Sequence, residues 1–436
     1  MEFLKFTYLL ITIPFMRMLA LLVGPITPFN RFLKERLLFE KRNNEPGCQS
    51  FSEQGLEADL GVHVSSEGEL EQVLPIVRRY LESAKKVELI FTSPSVEKKI
   101  KELYKVYPNS FRYLRLPLLK APRFRRPFLW VTTDHFIMVR YDFFPELLLL
   151  SRFCSRFTLV WATLKGKEYS PFSPGLFPYR YFTKIIPATE SDQNKMIDLS
   201  LPVDDAIDFR VVQINKRLQE KEKKLAVYEQ SGIAELIKSY PRSKRLVYGS
   251  CWPVDIESFS KVMIEKIKNK EIFVALCPHK INDESVDQLK ELLKLKGLES
   301  VCLYRKDESD SEKLKKVSSE LKEQEQGTVF ISALPGRLCE FYSLFGNAYV
   351  SGGFGRSIHS VLEPYLAGAF VFCGPKTHRS TEFDLVKEND DQAICSFSDL
   401  PSLWTLVENR DSFNEGKCNE LIDLSSMRFN EMIKKL

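Results

Sequence analysis

Histidine is scarce in this chain, five in 436 residues, and no two fall in an HExxH spacing. Little is left from which to build a metal centre, so no metal is expected. Cysteine is more plentiful, but its pattern excludes as much. The nine cysteines, from Cys48 to Cys418, are odd in number and contain no CxxC pair. That fits neither a disulfide framework nor a zinc site, and Cys277 and Cys373 sit inside apolar runs. They read as reduced core residues of a cytosolic compartment. Dense basic stretches are also absent. A formal net charge of +5 permits an anionic substrate or a membrane surface but falls far short of a nucleic-acid footprint. The glycines of GGFGRS (352–357) come late and do not match GxGxxG, which argues against a dinucleotide-dependent oxidoreductase.

One long apolar run is present, at the amino end. Residues 6–26 are almost wholly apolar, interrupted by Pro14 and Arg17. About 20 apolar residues suffice to span a bilayer, while an arginine near the middle costs roughly 2.5–3.5 kcal/mol on insertion. No small-residue cleavage site follows, which weakens a signal-peptide reading. A buried structural helix and a membrane anchor, spanning or lying in the interface, both fit. The expectation is an anchor over residues 1–28, with Arg31, Lys34 and Arg36 placing the remainder on the cytoplasmic side.

Past a polar linker (42–54), strand-like and helix-like segments alternate. VELIFT (87–92), FIMVRY (136–141), FTLVWA (157–162) and TKIIP (183–187) have the length and composition of buried strands, and 96–104 has helical spacing. After a charged stretch (215–244), the alternation repeats. Strands are expected at 246–250, 272–276, 301–304, 329–332, 348–350 and 370–373, with helices at 256–268 and 284–293. Short apolar strands joined by helices imply parallel sheets covered on both faces, with ligands at the strands' carboxyl ends. The fold class expected is α/β, two doubly wound Rossmann-like domains over residues 29–205 and 206–436.

The segment most able to carry chemistry is AYVSGGFGRSIHSVLEPYLAGAFVFCGP (348–375). A strand runs into Gly352-Gly353-Phe354-Gly355-Arg356, and a helix is expected to open near Ser357. Glycines allow close backbone approach, a helix start offers N–H groups to an anion, and Arg356 adds a charged donor. Glu363, on the same helix, could accept ribose hydroxyls or stand as a solvated helix glutamate. Glu69 reads from spacing alone as a helix-start carboxylate complementing the dipole of 70–81. Trp252 reads as packing, and the charged run 216–224 as an exposed helix.

SGGFGRSIHSVLEP followed by FCGP resembles the signature GGGFGxGIHNxLEP…GP of the Kdo transferase family. Further segments agree in order: YGSCWP (248–253) with Asp255 and Glu257, CPHKIN (277–282), AIDFRVV (206–212), the stretch from Leu116-Pro117 to Phe128, VRYDFFP (139–145), and the apolar amino end with Lys34-Glu35-Arg36. VHVSSEGE (62–69) resembles the loop HAASVGE, whose last residue is the family's proposed general base. The resemblance covers nearly the whole chain. It implies a GT-B glycosyltransferase, metal-independent and inverting, without a cofactor. The donor would be CMP-Kdo and the acceptor a lipid A precursor, at the cytoplasmic face of the inner membrane.

Carried over by position, the resemblance makes Glu69 the base, with His63, Ser66, Gly68, Arg140 and Asp142 supporting it or facing the acceptor. Ser250, His279, Gly353, Gly355, Arg356, His359 and Glu363 would line the donor. Gly68 is expected to let the loop bring the carboxylate close. Arg123, Arg125 and Arg126, interleaved with Phe124 and Phe128, could meet lipid phosphates or form a solvated basic surface. The chain departs from the family at Leu119, Asp142, Phe144, Ser351, Ser357, Ser360 and Arg379-Ser380, which bears on acceptor choice and donor affinity more than on the base.

Overall fold

The computed structural model describes every residue except Met1, 120–126, Tyr141, 165–168, Phe172, 306–310, 324–325, Arg356, Arg379, 411–412 and Leu436. It divides into two compact units. The first comprises Met1–Arg210 with Met427–Leu436, and the second Val211–Ser426.

The first unit holds a six-stranded parallel sheet: β1 (Leu60–Val64), β2 (Val87–Phe91), β3 (Phe111–Arg115), β4 (His135–Val139), β5 (Arg156–Ala162) and β6 (Lys184–Pro187). Their order is β3-β2-β1-β4-β5-β6. The chain winds outward one way from β1 and the other way from β4, so the topological switch lies between those two strands. Every residue of β1 to β4 is buried, as a sheet covered on both faces requires.

The second unit repeats the plan with seven parallel strands. They are β7 (Arg245–Cys251), β8 (Phe273–Pro278), β9 (Ser300–Tyr304), β10 (Val329–Ala333), β11 (Asn347–Val350), β12 (Phe370–Cys373) and β13 (Ile394–Ser396). The order β13-β12-β11-β7-β8-β10-β9 puts this switch between β7 and β11. All nine cysteines are free, and seven are buried.

Three boundaries differ from the sequence reading. The last ten residues, expected in the second domain, belong to the first unit. There Arg428 donates to the Ala206 carbonyl and to Glu190, and Phe429 meets Phe209 edge-on. The stretch 256–268 is a 3₁₀ turn (Pro253–Ser258) followed by a helix only from Lys261, because Ser260 caps that helix through the Met263 amide. The run 216–224 is split between helices Phe209–Gln219 and Glu222–Gln230.

The apolar amino end is one helix, Glu2–Val23. One stripe is packed: Leu9 and Ile13 join the core beneath β4 and β5, and Tyr8 meets Phe177 edge-on. Arg17, the charge that interrupts the run, donates to Glu146 of the first unit at 2.8 and 2.9 Å. Phe3, Leu4, Phe6, Leu10, Ile11 and Phe15 remain exposed, and the most apolar stretch of the span Glu2–Thr27 has mean hydropathy 2.0.

Candidate active site

Two groups of residues stand at the carboxyl ends of the two sheets. In the first unit, β1 ends at Val64 and the chain turns into helix Glu67–Glu82. Ser66 caps it, accepting from the Glu69 amide at 3.3 Å. Glu69 lies in the first turn, where a carboxylate is favoured by the helix dipole. Its side chain folds back to accept from the Ser65 amide at 2.6 Å. Burial nonetheless pushes its pKa up to about 7. The nearby Asp142 adds to the rise, while the Ser65 amide and the Arg140 guanidinium oppose it.

A raised carboxyl is not by itself a site. Glu88 in β2 is also pushed to about 7 by burial, yet it is engaged by the Thr132 amide and hydroxyl as a core fastening. What distinguishes Glu69 is its place at the switch between β1 and β4, beside a charged pair from the end of β4.

The arginine of that pair has unusual backbone. Arg140 follows β4 with φ +59, and Trp161 near the end of β5 has φ +56. Left-handed conformations in residues other than glycine cost on the order of 1–3 kcal/mol and cluster at functional sites. The Arg140 guanidinium lies 3.4 Å from the centroid of the Trp161 ring.

The remaining expectations for the first unit divide. His63 is fully buried, shares a hydrogen bond of 3.0 Å with Thr92, and is held neutral by burial, its pKa lowered to about 3. It is a core histidine tying β1 to the loop after β2. Gly68 is ordinary helix with open space where a side chain would stand, so no backbone demand requires it. Its lack of a side chain leaves room beside Glu69. Arg123, Arg125 and Arg126 lie outside the described residues.

In the second unit, Ser250 sits at a register shift between Tyr248 and Cys251 in the β7–β8 pairing, with φ +54. The bulge delivers Trp252, which stacks on His279 at 4.2 Å, and His279 in turn lies 4.7 Å from His359. Trp252 therefore stacks rather than merely packing. The Trp252 amide donates to buried Asp255 at 2.6 Å, and Asp255 also accepts from Tyr349 at 2.8 Å. An open pocket of about 190 Å³ adjoins this stack, lined by Trp252 and Pro253 together with Lys280, Asn282, Ser285 and Gln288.

The glycine loop after β11 is built on backbone contact. Gly353 has φ +84, and a Cβ there would meet the Gly374 backbone at 2.6 Å. No other residue type fits without moving one loop off the other. Gly355 is exposed with open space around it, and Arg356 lies outside the described residues.

The helix expected to open near Ser357 begins only at Leu362. Glu382 holds the preceding turn, accepting from the Ser360 hydroxyl and from the Val361 and Leu362 amides at 2.7, 3.0 and 3.2 Å. Those N–H groups are satisfied from within the chain, so this helix start offers no open anion site. Glu363 follows, half-buried. It accepts from Arg217 at 3.1 Å, and Arg217 also pairs with Glu340. Burial pushes Glu363 to about 7, with Arg217 opposing and Glu382 and Glu340 reinforcing.

Sequence reasoning missed Trp161, Arg217 and Glu382. Trp161 carried only a strand signal, and the two charged residues lie far in sequence from the loops they hold. Among the described residues no cluster of histidine, cysteine and carboxylate side chains could hold a metal ion.

No family model matches this chain, and no curated protein matches it. Solved structures do. UDP-GlcNAc 2-epimerase from Neisseria meningitidis, bound to UDP-GlcNAc, aligns with a TM-score of 0.53 at 11% identity, covering 86% of this chain and 99% of that one. The Methanocaldococcus jannaschii UDP-GlcNAc 2-epimerase aligns at 0.51 and 12%, covering 85% and 99%. The C-terminal CMP-Kdo binding domain of WaaA from Acinetobacter baumannii aligns at 0.33 and 13%, over 47% of this chain and 97% of that one, too loosely to carry weight. At such identities the epimerase likeness bears on fold alone. The chain has the GT-B fold, built from two successive doubly wound units.

Proposed function

We propose that this protein is a glycosyltransferase that moves Kdo from CMP-Kdo to a hydroxyl of a lipid A precursor. The first domain would take the acceptor and the second the donor. The observation that carries the reading is Glu69: a buried carboxyl at the first sheet's switch point, with a pKa near the pH at which a base must work. The ordered motif resemblance around it supplies the choice of sugar and lipid.

In this reading Glu69 accepts the proton of the lipid hydroxyl as its oxygen attacks the anomeric carbon. The bond to the CMP phosphate breaks on the opposite face, and configuration inverts. A positioned base contributes roughly 10²–10⁴-fold to such a step. Arg140 and Asp142 set the charge around the base. Ser250, His279, Gly353, Gly355, Arg356, His359 and Glu363 would hold the donor, with the rings of Trp252, His279 and His359 offering a stacking surface and the glycine loop a close backbone approach.

The reaction would run at the cytoplasmic face of the inner membrane, with helix Glu2–Val23 in the lipid interface. Packing of Leu9 and Ile13 into the core and the Arg17–Glu146 pair favour a helix lying along the first unit, its exposed side in lipid, over one that leaves the domain to span.

The test is transfer from CMP-Kdo, generated in situ, to a lipid A precursor in detergent, alongside binding of cytidine and uridine nucleotides. Transfer with cytidine selectivity supports the reading. Selective binding of a uridine nucleotide points to another nucleotide sugar, and binding of neither removes the donor assignment.

A further inference from the structure

Trp161 is the extra residue of a bulge. The pairing of β5 with β6 shifts register between Val160 and Ala162, and Trp161 stands between them in left-handed backbone. Such a place in a bulge ordinarily takes glycine, and bulges beside sites re-aim a side chain. Just past the adjacent strand Arg140 is left-handed too, and its amide donates to the Val160 carbonyl at 3.1 Å. Strained backbone thus stands at the ends of two neighbouring strands, and the result is an indole, 3% exposed, with a guanidinium 3.4 Å from its ring centroid.

A second guanidinium, Arg210, stands 4.6 Å from the same ring. Two like charges on one ring would repel, but Asp208, itself buried, accepts from Arg210 Nε through both oxygens, at 2.9 and 3.1 Å. Asp208 thus holds Arg210 in place, and the guanidinium whose charge bears on Glu69 is that of Arg140.

We infer that Trp161 is a positioning residue for the first-domain site, the platform that fixes the Arg140 guanidinium beside Glu69. The inference rests on the reading of Glu69 as base. A stacked guanidinium has lost the freedom to swing into solvent, so its charge acts on the carboxyl at a constant distance. The charged groups acting on Glu69 are Arg140 and Asp142, both from the segment after β4, and they pull in opposite directions. Releasing Arg140 leaves burial and Asp142 opposed only by the hydrogen bonds from the Ser65 amide and from Ser66. Glu69 would then keep its proton to higher pH, and the acid limb of the rate profile would move up.

The experiment is the pH profile of kcat/KM for Kdo transfer by the full-length protein, for wild type, Trp161→Leu, Trp161→Phe, Arg140→Gln and the Trp161/Arg140 double variants. Expected is an upward move of the acid limb by about half a unit in Trp161→Leu, a loss of about threefold below it with the plateau within about twofold. Trp161→Phe, which keeps a smaller ring, should move less in the same direction. In the Arg140→Gln background, substitution at 161 should add nothing.

An unmoved limb, or an equal shift with and without Arg140, overturns the inference while leaving the base in place. A wild type that transfers no Kdo removes the base reading and the inference together. If Trp161→Leu does not fold, Trp161→Phe in the two Arg140 backgrounds makes the same decision.

Discussion

The two sheets end in the same backbone device and use it for opposite purposes. In β5 a register shift places a left-handed Trp161, and in β7 a register shift places a left-handed Ser250. In the first unit the bulge supports side chains: an indole under an arginine, beside a buried carboxyl. In the second it turns the chain into Trp252 and Pro253, and the neighbouring loop approaches glycine on glycine, Gly353 against Gly374. One edge is an arrangement of charge and the other an arrangement of backbone and rings. On the proposed reading chemistry and binding separate here: substitutions at the first edge should act on the rate of the reaction, and those at the second on affinity for the donor.

The largest expected effect tests the first half of that contrast. Glu69→Ala should lower kcat for transfer by at least about 10²-fold, while the dissociation constant for CMP, measured by titration calorimetry, stays within about twofold. A comparable loss of CMP affinity would break the division.

Next is the exposed apolar face of the amino-terminal helix. Leu10, Ile11 and Phe15 are 60, 64 and 56% exposed on the amino-terminal helix. Changing all three to serine should weaken binding to anionic phospholipid vesicles by at least about thirtyfold, since even partial burial of each in lipid contributes on the order of 0.7 kcal/mol or more. Transfer to a detergent-dispersed acceptor should persist. Vesicle flotation unchanged by the triple substitution would remove the lipid role from this face.

Gly353→Ala tests the other edge. The added Cβ meets the Gly374 backbone, and φ +84 strains any side chain, so one loop must move. CMP affinity should fall at least about tenfold. If transfer with saturating donor fell as far as at Glu69→Ala, the second edge would be doing more than binding.

How far the sequence foretold these edges depended on whether the signal was local. Apolar strands such as β2, β5, β8 and β12 announce themselves by composition. β1 does not, because Gly61 and His63 interrupt it. Gly61 is there so that the Phe136 ring can lie against the backbone, and His63 is tied to Thr92. β3 reads FRYLR, and nothing nearby in sequence reveals that buried Arg115 is paired with Glu45 and Glu97. Strand propensity could not outvote two arginines, one of them held by carboxylates that arrive from elsewhere in the chain.

The site shows the same division. Glu69 and the glycine loop were legible because each motif is contiguous. Trp161, Arg217 and Glu382 act across the fold and left no pattern in one sequence. The late start of the helix at Leu362 has this cause too, since Glu382 replaces the cap that a local reading would seek near Ser357.

The smallest expected effect concerns Glu363 and sets the two edges against each other through pH. In its proposed role the carboxylate accepts hydrogen bonds from ribose hydroxyls, which the ionised form does with both oxygens and the protonated form does less well. Its pKa is raised to about 7 by burial. The ionised acceptor is therefore present above pH 7 and is lost as pH falls through it. Arg217 already engages one oxygen, which limits the gain. CMP should bind about threefold more weakly at pH 6 than at pH 8, and Glu363→Gln should flatten that dependence. At Glu69 the same protonation should appear in kcat/KM for transfer with CMP affinity unmoved. A pH dependence of CMP binding that survives Glu363→Gln but vanishes in Glu69→Gln would invert the assignment of the two carboxyls.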